Sequence, residues 1–301
     1  MPFLIVMLNR IILLISLLIG VLSDLQAQIT KDFKIIENQG FNLVVLDFNV
    51  YKGISSIKRE AGSDPLHIHS HLSKVNILPS FSYQIKDQTM HANLIHRNVE
   101  SESLGKSLSY KLFPSSNDDF GHRWNIDLNS NFLYDLNLNF GVGVANIDLS
   151  QIPVSNCKIR SASADINFDY SRKTANSVKM DTLSVTINMG NLHAKQLNLF
   201  NAKQMNFEIN YGSMDLYFTG IMTERTQLNA VVGAGKINLT LPDESQPYIV
   251  KIKSTAMCRT YVPKHLKDIG NKTYISKSFR EDAPNLMELT LDVSIGSVTL
   301  K

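Results

Sequence analysis

The stretch Met205-Asn-Phe-Glu-Ile-Asn-Tyr-Gly-Ser-Met-Asp-Leu216 alternates apolar and polar residues on both sides of Gly212. Its apolar side chains stand seven, five and three positions before the glycine and two and four after it: Met205, Phe207, Ile209, Met214 and Leu216. Alternation at period two across a small residue predicts a strand, a tight bend and a second strand. The same spelling recurs around small anchors at Gly53, Ala145, Ala164, Gly190, Gly235 and Gly296, which makes seven units. The Gly53 unit keeps the register with one polar lapse at Ser55.

From Ala145 to Gly235 the anchors are 19, 26, 22 and 23 residues apart. A recurrence of roughly 20–30 residues marks stacked architectures, in which each repeat is too thin to bury its own apolar face. The expected fold is therefore all-β: a single-stranded β-solenoid with coils of about 20–26 residues. Glycine serves a bend because it adopts positive φ without steric cost, and the two alanine anchors imply that some bends do without it. The side chains two after each anchor (Ile147, Ile166, Leu192, Met214, Ile237 and Val298) are expected to form one continuous apolar ladder.

Composition agrees. Hydrophobic residues make up 44% of the 301 positions, an ordinary globular value, and long amphipathic runs of Ala, Glu and Lys are almost absent. Residues 1–27 stand apart: Arg10 precedes an apolar run from Ile11 to Leu22, and Ser-Asp-Leu-Gln-Ala27 follows. That order reads as a secretory signal peptide cleaved after Ala27, with export to the periplasm, cell surface or medium. An uncleaved membrane anchor is the alternative, because Phe3 to Leu8 extends the apolar segment. Residues 28–40 read as a tether, 41–125 as a β region continuous with the solenoid, and 126–301 as the regular repeat with an insertion at 258–287. Strand patterns before the repeat fall near 43–50, 54–59, 65–72, 81–86, 90–97 and 106–113. Polar breaks separate them at 60–65 and 114–119. Cys157 occupies an inward position, where free cysteine serves as a small hydrophobe; a bridge to Cys258 is the competing possibility.

Leu136-Asn-Leu-Asn-Phe-Gly-Val-Gly-Val-Ala-Asn-Ile-Asp-Leu-Ser150 resembles the repeat of the toast-rack bacterial envelope proteins, which are related to cell-wall-active antibiotic response proteins and adhesin-type repeats. Leu289-Thr-Leu-Asp-Val-Ser-Ile-Gly-Ser-Val-Thr-Leu300 is similar to the terminal repeat of that family, as are Gly270 to Tyr274 and Ser276 to Phe279 in the insertion before it. The resemblance covers roughly residues 40–301. It implies a secreted or membrane-associated β-solenoid with a role in envelope structure, adhesion or stress sensing, and it brings no catalytic residues. The chain departs from the family pattern at Ala145 and Ala164, which replace glycine, and at Ser161, a polar residue at an inward position.

Three constellations are candidates for function. His67, His69 and His71 share one face of a strand, and imidazole is the commonest metal ligand, but only Asp64 lies nearby as an acid; a solvated polar stripe is the bland alternative. The outward column Asp148, Asn167, His193, Asp215, Asn238 and Thr299 reads as a hydrogen-bonded ladder, with glycan contact as the alternative. Its two acids would lie three coils apart, too far for the paired-carboxylate mechanism of retaining glycosidases. Residues 251–280 carry eight Lys or Arg against Asp268 alone, interleaved with aromatics. Lys264, Lys267, Lys272, Tyr274, Lys277 and Arg280 are the binding candidates, for an anionic envelope polymer, a lipid head group or a membrane protein; a solvated loop that needs no partner is the bland alternative. Nucleic acid is excluded by compartment. Gly141-Val-Gly143 and Gly233-Ala-Gly235 lie inside strand repeats, so they are not dinucleotide fingerprints, and no cofactor is implied. The sequence therefore predicts a non-enzymatic envelope structural, adhesin-like or interaction module. A carbohydrate-active β-helix enzyme and a stress sensor partnering a membrane protein are the alternatives.

Overall fold

Strand Leu133–Asp148 (β7) has sixteen residues, and five residues separate it from Val154–Asp169 (β8). A straight strand of that length spans about 50 Å, whereas the connection reaches at most about 20 Å. The strand must therefore curl back on itself before it returns. The computed structural model describes residues 28–37, 39–73, 77–97 and 121–301. The leader at 1–27, the strand expected at 106–113 and the break at 114–119 lie outside the described residues.

The curl occurs at one column. Leu43–Glu60 (β2), β7, β8, Met180–Ala194 (β9), Ala202–Tyr217 (β10), Thr226–Thr240 (β11) and Met287–Leu300 (β16) pair in parallel, each with the next. Their register aligns Gly53, Gly143 and Ala164, then Gly190, Gly212, Gly235 and Gly296. Gly212, Gly235 and Gly296 have φ of +147°, +148° and +132°, and a Cβ on any of them would lie 1.7 Å from the carbonyl oxygen of the glycine in the adjacent coil. Two independent constraints, backbone conformation and close approach, therefore demand glycine. Ala164 turns the same corner without positive φ.

The second bend is at Gly143, not at Ala145. Ala145 pairs with Ser55 and Ile166, so Ile147 stacks on Phe168 and Asp148 on Asp169. A shift of two residues leaves a period-two pattern unchanged, which is why alternation alone misplaced this anchor. Only one member of the column, Ala164, then departs from glycine.

Inward columns stack by type, as expected. Leu46, Leu136, Cys157, Leu183, Met205, Leu228 and Leu289 form one ladder across seven coils, each fully buried. Both cysteines are free, and burial pushes the Cys157 thiol up to about 12. Ser161 points inward between Phe140 and Ile187, and its Oγ makes no hydrogen bond among the described residues. Amide ladders line the outside: Asn139 donates to Asn49 at 2.7 Å, Asn167 to Asn146 at 3.0 Å, Asn210 to Asn188 at 3.0 Å and Asn229 to Asn206 at 3.1 Å.

Both ends of the stack are built from split coils. Thr89–His96 (β5) and Arg123–Asn129 (β6) run parallel to the first and second halves of β2 respectively, so together they replace one coil. Leu66–Ser73 (β3) then adds antiparallel to β6, Gln28–Ile35 (β1) to β3, and Ser80–Lys86 (β4) to β5. The segment read as a tether is thus largely a strand: Ile35 is buried and Phe33 packs on the core. At the other end Tyr248–Ser254 (β12) and Cys258–Tyr261 (β13) flank β16 in the same split manner, and Lys267–Asp268 (β14) and Thr273–Ile275 (β15) cap β12. The Gly296 coil therefore does not close the stack. It slots between β11 and β12, and part of the insertion forms the outer rung.

The glycine column sets a measurable expectation. Gly212→Ala is expected to lower the unfolding free energy by ~3 kcal/mol or more, from positive-φ strain and overpacking together. Ala164→Gly should cost only about 0.5–1 kcal/mol. Equal, small shifts of the urea midpoint would refute the constraint.

Candidate functional site

The basic insertion occupies the terminal cap. Lys264, Lys267, Lys272, Lys277 and Arg280 are all exposed, and none makes an ion pair with an acid among the described residues. Lys272 Nζ donates to Ser254 Oγ at 2.6 Å. Asp268, the acid among them, accepts the Gly270 amide at 2.7 Å and so serves its own turn. Tyr274 is different from its neighbours: it packs against the core, and burial, followed by Asp268, raises its phenol. Lysines on an edge strand also obstruct pairing with another sheet, so Lys267 on β14, the last strand of the sheet, has a structural use as well.

The three histidines of β3 do share a face, and the structure adds acids that sequence proximity did not reveal. Asp32 on β1 accepts from His67 Nε2 at 3.1 Å and from His69 Nδ1 at 2.6 Å. His69 Nε2 lies 3.0 Å from His71 Nε2, and His71 Nδ1 lies 3.2 Å from Thr30 Oγ1. Glu60, at the end of β2, faces His67 Nδ1 at 3.7 Å, and Asp127 on β6 is the register partner of His67. Antiparallel pairing of β3 with β1 and β6 assembles these groups from positions 32, 60 and 127, separations that no local motif records.

Sequence reasoning missed a second histidine pair. The split between β5 and β6 falls where intact coils have their bend, and His96 and His122 face each other across it, with stacked rings 5.4 Å apart. The Ser73 amide donates to His122 Nδ1 at 3.3 Å, so Nε2 carries the proton and meets Tyr51 Oη at 2.9 Å. His96 Nε2 donates to the Ile77 carbonyl at 2.9 Å. Burial, then Lys52 and His96, depress His122 to about 3; burial chiefly depresses His96 as well. A signal was available only in hindsight, since His96 stands in the apolar frame of its strand.

The corrected register brings Asp148 and Asp169 onto adjacent coils, so separation no longer excludes an acid pair. Their surroundings argue against acid–base work. Burial pushes the Asp148 carboxyl up, but hydrogen bonds from Ser150 and Ser171 outweigh it and hold the group below its ordinary range. Asp148 Oδ1 accepts Ser150 Oγ at 2.6 Å and the Ser150 amide at 3.0 Å, and Oδ2 accepts Ser171 Oγ. Asp169 accepts the Tyr170 amide at 2.9 Å and lies 3.9 Å from Lys195 Nζ. A general acid needs a raised pKa, whereas Asp148 is tied into two return turns. Farther along, Asp215 accepts from Asn238 at 2.7 Å, as a ladder member does.

The buried histidines give the fold an acid limit. Unfolded histidine takes a proton below pH 6.5, while the folded His122 stays neutral until about 3. Stability is therefore unaffected above that range and falls as pH drops through it, by about 1.4 kcal/mol per pH unit for each proton so withheld. Urea unfolding between pH 7 and pH 4 should show this slope, and His122→Gln should flatten it; an unchanged slope in the variant would sink the assignment.

No curated protein matches the chain. Among solved structures it is similar to a putative cell adhesion protein from Clostridium sporogenes, with 15% identity, a TM-score of 0.47, and coverage of 91% of this chain and 99% of that one. It is also similar to a putative adhesin from Bacteroides fragilis, with 10% identity, a TM-score of 0.35, and coverage of 91% and 97% respectively. The model of the N-terminal domain of toast_rack, DUF2154, matches residues 25–190, more than half of the 301, and the chain belongs to that family.

Proposed function

We propose that this chain is an exported, non-enzymatic, adhesin-like envelope module that meets an anionic envelope surface through its basic terminal cap. The observation that carries this reading is the set of exposed cations at Lys264, Lys267, Lys277 and Arg280, on or beside the strands that end the sheet and without an acid partner among the described residues. Charge of one sign without internal partners attracts counter-charged surfaces and loses that attraction as salt rises. Family membership supports an envelope context. The non-enzymatic part is supported by the neighbours of Asp148 and Asp169, which hold them as turn-forming acceptors.

Co-sedimentation with vesicles of phosphatidylglycerol and phosphatidylcholine tests the reading. Binding is expected to the anionic vesicles alone and to fade between 50 and 500 mM salt, on the order of the screening change over that range. Each lysine near such a surface contributes about 1 kcal/mol, so Lys264→Gln, Lys267→Gln and Lys277→Gln together should weaken binding roughly 100-fold. Binding that ignores salt, or survives the triple variant, would overturn the proposal.

A further inference from the structure

The geometry points to a divalent-metal site at the other end of the stack, formed by Glu60, His67 and Asp127, with zinc as the fitting ion. One ligand atom from each of the three lies within 4.8 Å of the others. His67 Nδ1 and Glu60 Oε2 are 3.7 Å apart. Ligands held about 2.0–2.2 Å from a tetrahedral zinc are ~3.4 Å apart, so a small inward movement completes the set, with water in the fourth position.

Two further observations favour a cation here. Asp127 Oδ1 is buried and accepts no hydrogen bond among the described residues, an unusual state for a carboxylate oxygen. A metal between the two carboxylates would satisfy the orphaned oxygen and remove their repulsion. Asp32 supplies the outer support: His67 Nε2–H donates to it at 3.1 Å, which leaves the Nδ1 lone pair directed toward Glu60. A carboxylate behind a ligating imidazole fixes its tautomer and orientation.

The alternative grouping of Asp32, His67 and His69 fits a metal less well. Its contacts at 2.6 and 3.1 Å have hydrogen-bond lengths, so His69 and His67 are each already bonded to Asp32. Asp32 is therefore an acceptor already in use. The ligands of the favoured site come from β2, β3 and β6, with β1 behind them, so a bound ion would staple the strands that cap the solenoid. This inference is independent of the basic cap, which lies at the opposite end.

Isothermal titration of zinc chloride into the full chain, purified without a polyhistidine tag, tests the site. One ion per chain is expected, with a rise in melting temperature that EDTA reverses. His67→Gln and Glu60→Gln should each abolish binding; Glu60 is half-exposed, so its variant should fold whatever becomes of the others. Asp32→Asn should weaken affinity about 10–100-fold, as loss of an outer hydrogen bond does. His71→Gln should leave it unchanged. Absence of heat with the parent chain, undiminished affinity in Glu60→Gln, or loss of binding in His71→Gln would overturn the assignment, the last by moving the ion to the His69–His71 pair.

Discussion

At every bend but Ala164, a carbonyl oxygen of the neighbouring coil occupies the space that a side chain would need. Everything regular in this fold depends on that contact. Close approach at the bend lets a strand of fourteen to eighteen residues fold over within one coil and return through a short connection. Because the approach is to backbone rather than to a flexible side chain, the column admits almost no sideways slip. Register is then common to all coils, and the apolar columns at fixed offsets stack without gaps. The hydrophobic effect supplies most of the free energy, at about 1.5–3 kcal/mol per buried aliphatic side chain, but the glycine column decides which side chains meet.

This explains which parts were legible in the sequence. The all-β class, the coil length, the inward columns and the buried free Cys157 follow from alternation and spacing. The Gly143 bend did not, because period two cannot distinguish a residue from its neighbour two positions away; only φ and the approach of Gly53 separate Gly143 from Ala145. That slip had a chemical consequence, since it set Asp148 beside the wrong column and hid its adjacency to Asp169. The antiparallel strand at 28–35 was also hidden, for its pairing partner lies beyond it at 66–73 and its own pattern is short.

The order of the last strands was illegible for a different reason. β16 pairs with β11 on one side and with β12 and β13 on the other. A linear reading of repeats assumes that sequence order and stacking order agree, and here they part company after β11. Local spacing contains nothing about which of two compatible strands takes the inner place. Burial of the outward side chains does: Glu288, Thr290 and Asp292 of β16 are half-buried, whereas Lys251, Lys253 and Arg259 of the outer rung are exposed.

Placement of the candidate sites follows from the same stacking. An outward side chain in a middle coil has a neighbouring coil on both sides, and the amide pairs show such neighbours bonding to one another. Such a face is satisfied internally and has little left with which to recognise anything. At the ends each coil has one neighbour fewer, and both end coils are split where an intact coil would bend. Splitting brings antiparallel strands against the stack and places side chains from distant positions together without ladder partners. The histidine–carboxylate cluster arises this way at one end, and cations without an acid partner among the described residues lie at the other. In a solenoid of this kind amide ladders bond the middle coils to one another, and the polar clusters without ladder partners gather where the repeat stops.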